Sequence, residues 1–383
     1  MTEISTTYQN HRPVRIALAH DHLAQDGGAE RVLKAFKEIY PEAPIFTLLF
    51  DRKNTNDFFR SAGVRTSFLQ KMPLGVARYQ WYLSLMPLAT ESQNLMNYDL
   101  VISSASSFAK GVITNPAGAH ICYCHTPTRY LWSNSHEYLQ DIRVNFIVKK
   151  FLPATLKKLR LWDQLAAERV DYFIANSQNV RQRILKYYKR DSEVIYPPVE
   201  TEKFFVSPYP KKFFLAGGRL VPYKKIDLVV RAFTRLGAPL KIFGVGSEMK
   251  ALKKLAEEGK GNIEFLGKIS DQQKRWLFAN CLAYINPQEE DFGITAVEAM
   301  AAGRPVIAYC AGGATETIKE GETGEFFDDQ WWEDIADKVI RFDSTKYDAE
   351  KIRSHAQNFS ADKFKEKMKN FVDNIVRQKI STS

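Results

Sequence analysis

Twice in this chain a short apolar run opens onto a Gly-Gly loop and then a helix. Residues 14–19 are apolar apart from Arg15, His20-Asp21-His22 follows, and Gly27-Gly28 starts a helix reaching to about residue 39. Residues 213–216 repeat the plan, with Gly217-Gly218-Arg219-Leu220 as the loop and 226–236 as the helix. A fully apolar strand of this length must be covered on both faces, and a helix after each strand provides the cover. Between the halves, Pro197-Pro198 makes a stiff joint. The pattern predicts an α/β protein of two facing Rossmann-like domains with a deep interdomain cleft. The boundaries read as 1–198, 199–360 and a last helix, 361–383, capped by Ser360 and packing back across the joint. A chain of 383 residues is long enough for two such domains.

The most specific chemistry sits in the second half. Residues 282–285 read as a buried strand, Pro287 to Asp291 as an acidic loop, and 294–302 as a helix. Gly303 ends that helix and Arg304-Pro305 leads into the strand 306–309. Glu290 therefore lies on a loop over a helix N-terminus, and Glu298 lies inside an otherwise apolar helix. Two readings stand side by side. In one, the loop is a cap and Glu298 is paired with a neighbouring Lys or Arg, since a charge buried alone is costly. In the other, the free N–H groups and positive dipole end of the helix bind an anion. Gly293 then admits a ligand close to the backbone, Glu290 meets sugar hydroxyls, and Glu298 holds a ribose.

In open α/β sheets ligand contacts gather beyond the carboxyl ends of the strands. Several candidates belong there: Gly27 and Gly28, His125 in His125-Thr126-Pro127, Gly218 and Arg219, Lys224 and Lys225, Gly244 in Gly244-Val245-Gly246, and Leu266-Gly267. His125 is equally readable as a hydrogen-bonded loop histidine. Cations beside a helix N-terminus neutralise a diphosphate leaving group without a metal, and no Asp-x-Asp triplet is present. No metal or other cofactor is expected.

The net charge of +10 points to an anionic partner. Residues 65–98 mix Arg65, Lys71 and Arg78 with Phe68, Met72, Trp81, Tyr82, Leu85 and Met86, and a helix over 147–170 carries Lys149, Lys150, Lys157, Lys158 and Arg160. Such segments fit an anionic membrane surface, or solvated helix faces around a core. No run is apolar and long enough to span a bilayer, and the polar start lacks a signal-peptide core, so a cytoplasmic protein is expected. Cys122, Cys124, Cys281 and Cys310 fit small buried hydrophobes better than a disulfide or zinc framework.

Glu290 to Glu298 forms a Glu-x₇-Glu motif, and Arg219 precedes Lys224 by five positions. With Gly27-Gly28 early and Gly312-Gly313 and Glu316 late, the chain resembles the family 4 retaining glycosyltransferases of the GT-B fold. The likeness runs from residue 14 to the last helix. It implies that Arg219 and Lys224 grip the diphosphate of a nucleotide sugar and that the backbone of Phe292, Gly293, Ile294 and Thr295 holds phosphate and sugar. It also implies that Glu290 flanks the transferred sugar and Glu298 binds the ribose. Gly28 would approach the donor phosphate, His125 the sugar, and the Leu266 segment the base. Lys225 departs from the family pattern, which has Gly or Asn after the lysine, and leaves open which lysine reaches the phosphate. The chain looks most like bacterial mannosyltransferases of surface polysaccharide synthesis. That implies GDP-mannose first and a UDP-hexose second, a glycan or polyprenyl-diphosphate-linked saccharide acceptor, peripheral association with the inner face of the plasma membrane, and no nucleic acid.

Two rival functions remain on the sequence. A nucleotide-sugar epimerase of similar architecture needs a carboxylate base, for which Glu42 or Asp99 is available. A basic module binding polyanions explains the charge but has no use for two placed carboxylates.

Overall fold

A computed structural model describes residues 13–133, 146–259 and 261–380. Residues 1–12 and the side chains of Lys149 and Lys150 lie outside the described residues. The chain divides into one unit of Met1–Tyr196 with Lys365–Ser383 and a second of Pro197–Phe364. The joint at Pro197 thus begins the second unit, and the last helix is divided after its first turn.

The first unit holds strands β1 (Ile16–His20), β2 (Ile45–Thr47), β3 (Val64–Thr66), β4 (Leu100–Ala105), β5 (Ala119–Cys124), β6 (Tyr172–Ala175) and β7 (Glu193–Val194). Its helices are α1 (Gly28–Ile39), α2 (Met86–Glu91), α3 (Phe146–Glu168) and α4 (Gln178–Tyr188). The sheet order is β3-β2-β1-β4-β5-β6-β7, all parallel. The chain runs outward from β1 through β2 to β3, then returns to the other side of β1 as β4. That reversal makes the β1/β4 boundary the topological switch point, where open sheets leave a ligand crevice at the strand ends.

The second unit repeats this logic with β8 (Phe214–Gly217), β9 (Leu240–Phe243), β10 (Ile263–Gly267), β11 (Tyr284–Asn286), β12 (Val306–Tyr309) and β13 (Gly324–Phe327). Helices α5 (Ile226–Leu236), α6 (Met249–Glu257), α7 (Asp271–Asn280), α8 (Ile294–Ala301), α9 (Ala314–Thr317), α10 (Trp332–Arg341) and α11 (Ala349–Ala356) cover it. Its parallel order, β10-β9-β8-β11-β12-β13, puts the switch point between β8 and β11. Helix α5 shows why the helices lie where they do. Ile226, Val229, Val230 and Phe233 recur at helical spacing and are buried against Phe214, Leu240 and Ile242. Each such side chain contributes about 1.5–3 kcal/mol when fully buried.

Pairing rather than apolarity sets the strand limits. The run 45–50 stops being strand at Thr47: Leu48 donates to the Asp21 carbonyl at 3.1 Å, and the Phe50 amide donates to the Gln70 side chain at 2.8 Å. The run 282–285 becomes β11 at Tyr284, where β12 supplies Val306 as its partner. Residues 65–98 are mostly 3-10 turns leading into α2. Leu69 and Met86 are buried in a core shared with Leu152, Leu156 and Leu159 of α3. Phe68, Leu74, Trp81 and Leu88 stay exposed. Arg160 does not join the outer basic face; its Nε donates to the Leu131 carbonyl at 2.6 Å.

The final helix, α12 (Ala361–Ile380), starts beside Ser360, whose hydroxyl accepts from the Lys363 amide at 3.4 Å. Within the first unit, its Lys365 pairs with Glu38 at 2.6 Å and its Phe371 meets Tyr172 edge-on. No helix among the described residues is long and apolar enough to cross a membrane.

Candidate active site

At the carboxyl edge of the second sheet, three glycine loops are tied side by side. Gly218 donates to the Phe243 carbonyl at 3.1 Å, Leu220 to that of Val245 at 3.0 Å, and Gly244 to that of Gly267 at 2.7 Å. Half-buried Leu266 precedes Gly267 at the end of β10. The loops after β8, β9 and β10 therefore form one continuous backbone rim.

Arg219 leaves this rim exposed, and its guanidinium donates to the Tyr223 hydroxyl at 2.8 Å. Lys224 lies 5.5 Å from the Tyr223 ring centre and forms an ion pair with Glu290. This pair spans the switch point, since Lys224 follows β8 and Glu290 follows β11. Lys225 is exposed, has φ of 51°, and caps the start of α5. The structure thus directs Lys224, and not Lys225, toward the acidic loop.

The Glu290 loop is set by its neighbours. The Gly313 amide donates to the Glu290 carbonyl at 2.8 Å, and Gly312 bridges Glu290 like a strand partner. A Cβ on Gly313 would stand 2.3 Å from the Phe292 Cα and 2.5 Å from its carbonyl oxygen. Only a residue without a side chain permits that approach. Gly293 then turns the chain with φ of 93°, a region open to glycine. Ile294 and Thr295 begin α8, with Phe292 buried beneath. Glu298 is buried in α8 and is ion-paired with Lys274 of α7. The pairing reading is met here, since Glu298 has its cation.

The first unit has its own polar cluster at the carboxyl edge of its sheet. Gly27 and Gly28 open α1, and Glu30 folds back to accept the Gly27 amide at 2.9 Å. Glu30 lies 3.9 Å from His20 at the end of β1. His20 Nδ1 is 3.2 Å from Ser104 Oγ at the end of β4, and Ser104 Oγ is 2.8 Å from His125 Nε2 just after β5. All four side chains are buried. Asp21 is occupied structurally, accepting the amides of Ser106, Phe108 and Ala109 at 2.6–2.7 Å. Burial pushes His125 down to about 4, with His20 adding to the depression. The imidazole is therefore neutral near pH 7 and acts as a hydrogen-bonding group.

Sequence reasoning named the glycines, Arg219, Lys224, Glu290, Glu298 and His125. It missed Tyr223, Lys274, Ser104, His20 and Glu30, whose contacts are settled only in the folded chain. It also missed Gln288, buried, whose Nε2 donates to Asn286 at 2.7 Å while its Oε1 has no partner among the described residues. A Gln two residues beyond a strand carries no signal of this in the sequence.

The family model described as Glycosyltransferase Family 4 matches residues 26–203, and that described as Glycosyl transferases group 1 matches residues 199–359. The chain belongs to glycosyltransferase family 4. Among curated relatives of this family 4 chain, the alpha-1,3/1,6-mannosyltransferase ALG2 of Dictyostelium discoideum is 26% identical over 53% of this chain and 56% of its own. The ALG2 protein of Mus musculus is 28% identical over 66% of this chain and 68% of its own. The chain spans about half the length of the first curated relatives it matches. Among solved structures, Anabaena Alr3699/HepE in complex with UDP-glucose has a TM-score of 0.70 at 18% identity, covering 94% of this chain and 99% of that one. Sucrose-phosphate synthase from Thermosynechococcus elongatus has a TM-score of 0.72 at 17% identity, covering 97% and 100%. The two parallel-sheet α/β units are those of the GT-B fold.

The epimerase reading loses its bases in this structure. Asp99 precedes β4 and holds Arg15, accepting its amide at 2.9 Å; Glu42 is exposed before β2. Both sit at the amino ends of strands, on the edge opposite the switch-point loops.

Proposed function

We propose that this family 4 chain transfers a hexose from a nucleotide sugar to a saccharide acceptor with retention of configuration. The observation that carries the reading is the Arg219–Tyr223–Lys224–Glu290 chain across the β8/β11 switch point, beside the α8 N-terminus. Arg219 and Lys224 take the diphosphate; Lys224 exchanges its Glu290 partner for a phosphate oxygen when donor binds. Glu290 and the α8 amides hold the transferred sugar, Glu298 the ribose, the Leu266 segment the base, and His125 the sugar hydroxyls.

In the reaction the C1–O bond to the diphosphate breaks and the acceptor oxygen bonds to C1 on the same face. The leaving phosphate takes the acceptor proton. Positive charge fixed beside that phosphate acts without a metal, and removal of one such group commonly costs about 100- to 1000-fold in rate. GDP-mannose is the proposed donor, supported by the mannosyltransferase names among the relatives. A UDP-hexose is the second candidate, supported by the UDP-glucose complex of a structural neighbour. The proposed acceptor is a lipid-linked saccharide. The exposed Leu161 and Leu165, with Lys157 and Lys158 on the same face of α3, are proposed to lie on anionic lipid.

A melting panel with GDP, UDP, ADP and their sugars tests the reading, because a ligand of the native state raises the midpoint. Arg219→Ala and Lys224→Ala should abolish most of the shift and of turnover while leaving the unliganded midpoint near wild type. Variants with near-normal rates would refute the leaving-group role.

A further inference from the structure

Ser104 stands between two histidines and has one hydroxyl hydrogen to share. His20 Nδ1 lies 3.2 Å from Ser104 Oγ, and His125 Nε2 lies 2.8 Å from the same oxygen. His20 and Ser104 are register partners on β1 and β4, and His125 directly follows β5, the next strand. All three side chains are buried, and buried polar groups in proteins are almost always hydrogen-bonded. A hydroxyl donates once and accepts from its other neighbour. When Ser104 donates to His20, His125 must carry its hydrogen on Nε2. When Ser104 donates to His125, His20 must carry one on Nδ1.

The far end of the row removes one freedom. His20 Nε2 is 3.9 Å from Glu30 Oε1, and Glu30 Oε2 accepts the Gly27 amide at 2.9 Å. Burial works against this carboxylate, but His20 beside it and a backbone amide outweigh burial and hold the carboxyl below its ordinary value. An ionised carboxylate only accepts, so His20 keeps a hydrogen on Nε2. A neutral His20 then has a bare Nδ1, and a charged His20 carries hydrogen on both nitrogens. His125, pushed down by burial to about 4, is neutral near pH 7 and has one ring hydrogen to place.

We propose that Ser104 is a positioning residue that ties the tautomer of His125 to the charge of His20. With His20 neutral, Ser104 Oγ–H donates to His20 Nδ1 and His125 Nε2–H donates to Ser104, which leaves His125 Nδ1 a bare acceptor. With His20 protonated, its Nδ1–H donates to Ser104, the hydroxyl turns to His125 Nε2, and His125 carries its hydrogen on Nδ1. The balance is one proton taken up from solvent: His20 Nδ1 gains a hydrogen, while His125 loses one at Nε2 and gains one at Nδ1. The titratable groups around His20 are Glu30 on α1, Asp21 and His22 after β1, and His125 after β5; its register partners Thr47 and Ser104 are uncharged. Both Asp21 oxygens are taken by backbone amides. The inference rests on the reading of His125 as a group that meets the bound sugar, and it adds which hydrogen-bonding role His125 Nδ1 can play.

The experiment is proton–nitrogen correlation NMR of the ligand-free full chain with isotope-labelled histidine rings, from about pH 5.5 to about 8.5. Spectra of His20→Gln and His125→Gln assign the two rings. In every wild-type spectrum the bare nitrogen of His125 should be Nδ1 where His20 is neutral and Nε2 where His20 is charged, so the two His125 nitrogen resonances exchange positions as His20 titrates. A His20 that keeps one state throughout still fixes which nitrogen of His125 must be bare. In Ser104→Ala the link is cut, and His125 should show both tautomers mixed. A wild-type His125 in the opposite tautomer, or a Ser104→Ala protein that keeps the wild-type pattern, overturns the proposal and leaves the glycosyltransferase reading standing. The wild-type spectra decide the rule even where the variant fails to fold. A row that obeys the rule in a chain that turns over no nucleotide sugar supports the proposal and overturns the glycosyltransferase reading alone.

Discussion

Replacing Gly313 by Ala tests whether the acidic loop is positioned by its neighbours. Gly313 has φ of −65°, which alanine adopts freely, so backbone strain plays no part. The effect is steric. The new methyl would stand 2.3 Å from Phe292 Cα and 2.5 Å from Phe292 O, both backbone atoms that cannot rotate away. Ordinary contact needs about 3.5–4 Å, so the segment between Glu290 and Gly293 must retreat by about 1 Å. Overpacking of this kind costs about 1–3 kcal/mol of stability. A displacement of about 1 Å at a reacting group costs about 100-fold in rate. The expected result is therefore a folded protein with a lowered midpoint, kcat/KM down about 100-fold for the nucleotide sugar, and binding of GDP or UDP reduced far less. Steady-state kinetics with calorimetric binding of the nucleoside diphosphate would separate the two effects. A Gly313→Ala protein with wild-type kcat/KM would refute the claim that the Gly312-Gly313 loop sets the working position of Glu290.

Two other outcomes follow from the first unit. His120 and His125 are both held by burial near a pKa of about 4 against an ordinary 6.5. The unfolded chain then binds more protons between those values, so stability is complete above about pH 6.5 and falls as the pH drops toward 4. The loss should be on the order of 3 kcal/mol per histidine, measured by urea unfolding at pH 7 and pH 4.5, and His120→Asn should remove its share of the slope. On α3, Leu161→Glu with Leu165→Glu should reduce cosedimentation with phosphatidylglycerol vesicles by about tenfold or more while nucleotide binding is retained. Equal sedimentation of wild type and variant would exclude this face as the contact.

How far the chain could be read in advance follows from the range of each signal. Strand, glycine loop and helix are local patterns, and they are visible because burial on two faces demands unbroken apolar runs. The Glu290-to-Glu298 spacing was legible for the same reason: a loop and the helix after it form one continuous segment. The strand expected from residue 282 was misplaced because pairing overruled apolarity, and it begins at Tyr284. Glu298 looked costly from the sequence, and its cation was expected, but nothing in α7 singled out Lys274.

The amino-acid order alone determined an α/β chain in two halves, the glycine loops, and the short-range sets Arg219 with Lys224 and Glu290 with Glu298. Only the folded arrangement decided that Lys224 meets Glu290, that Gly313 carries the Glu290 loop, and that Glu30, His20, Ser104 and His125 line up in one buried row. Those contacts join segments far apart in sequence. They exist because parallel strands set their carboxyl-end loops side by side; the Lys224–Glu290 pair and the His20–Ser104 contact lie at the two strand-order reversals, β8/β11 and β1/β4.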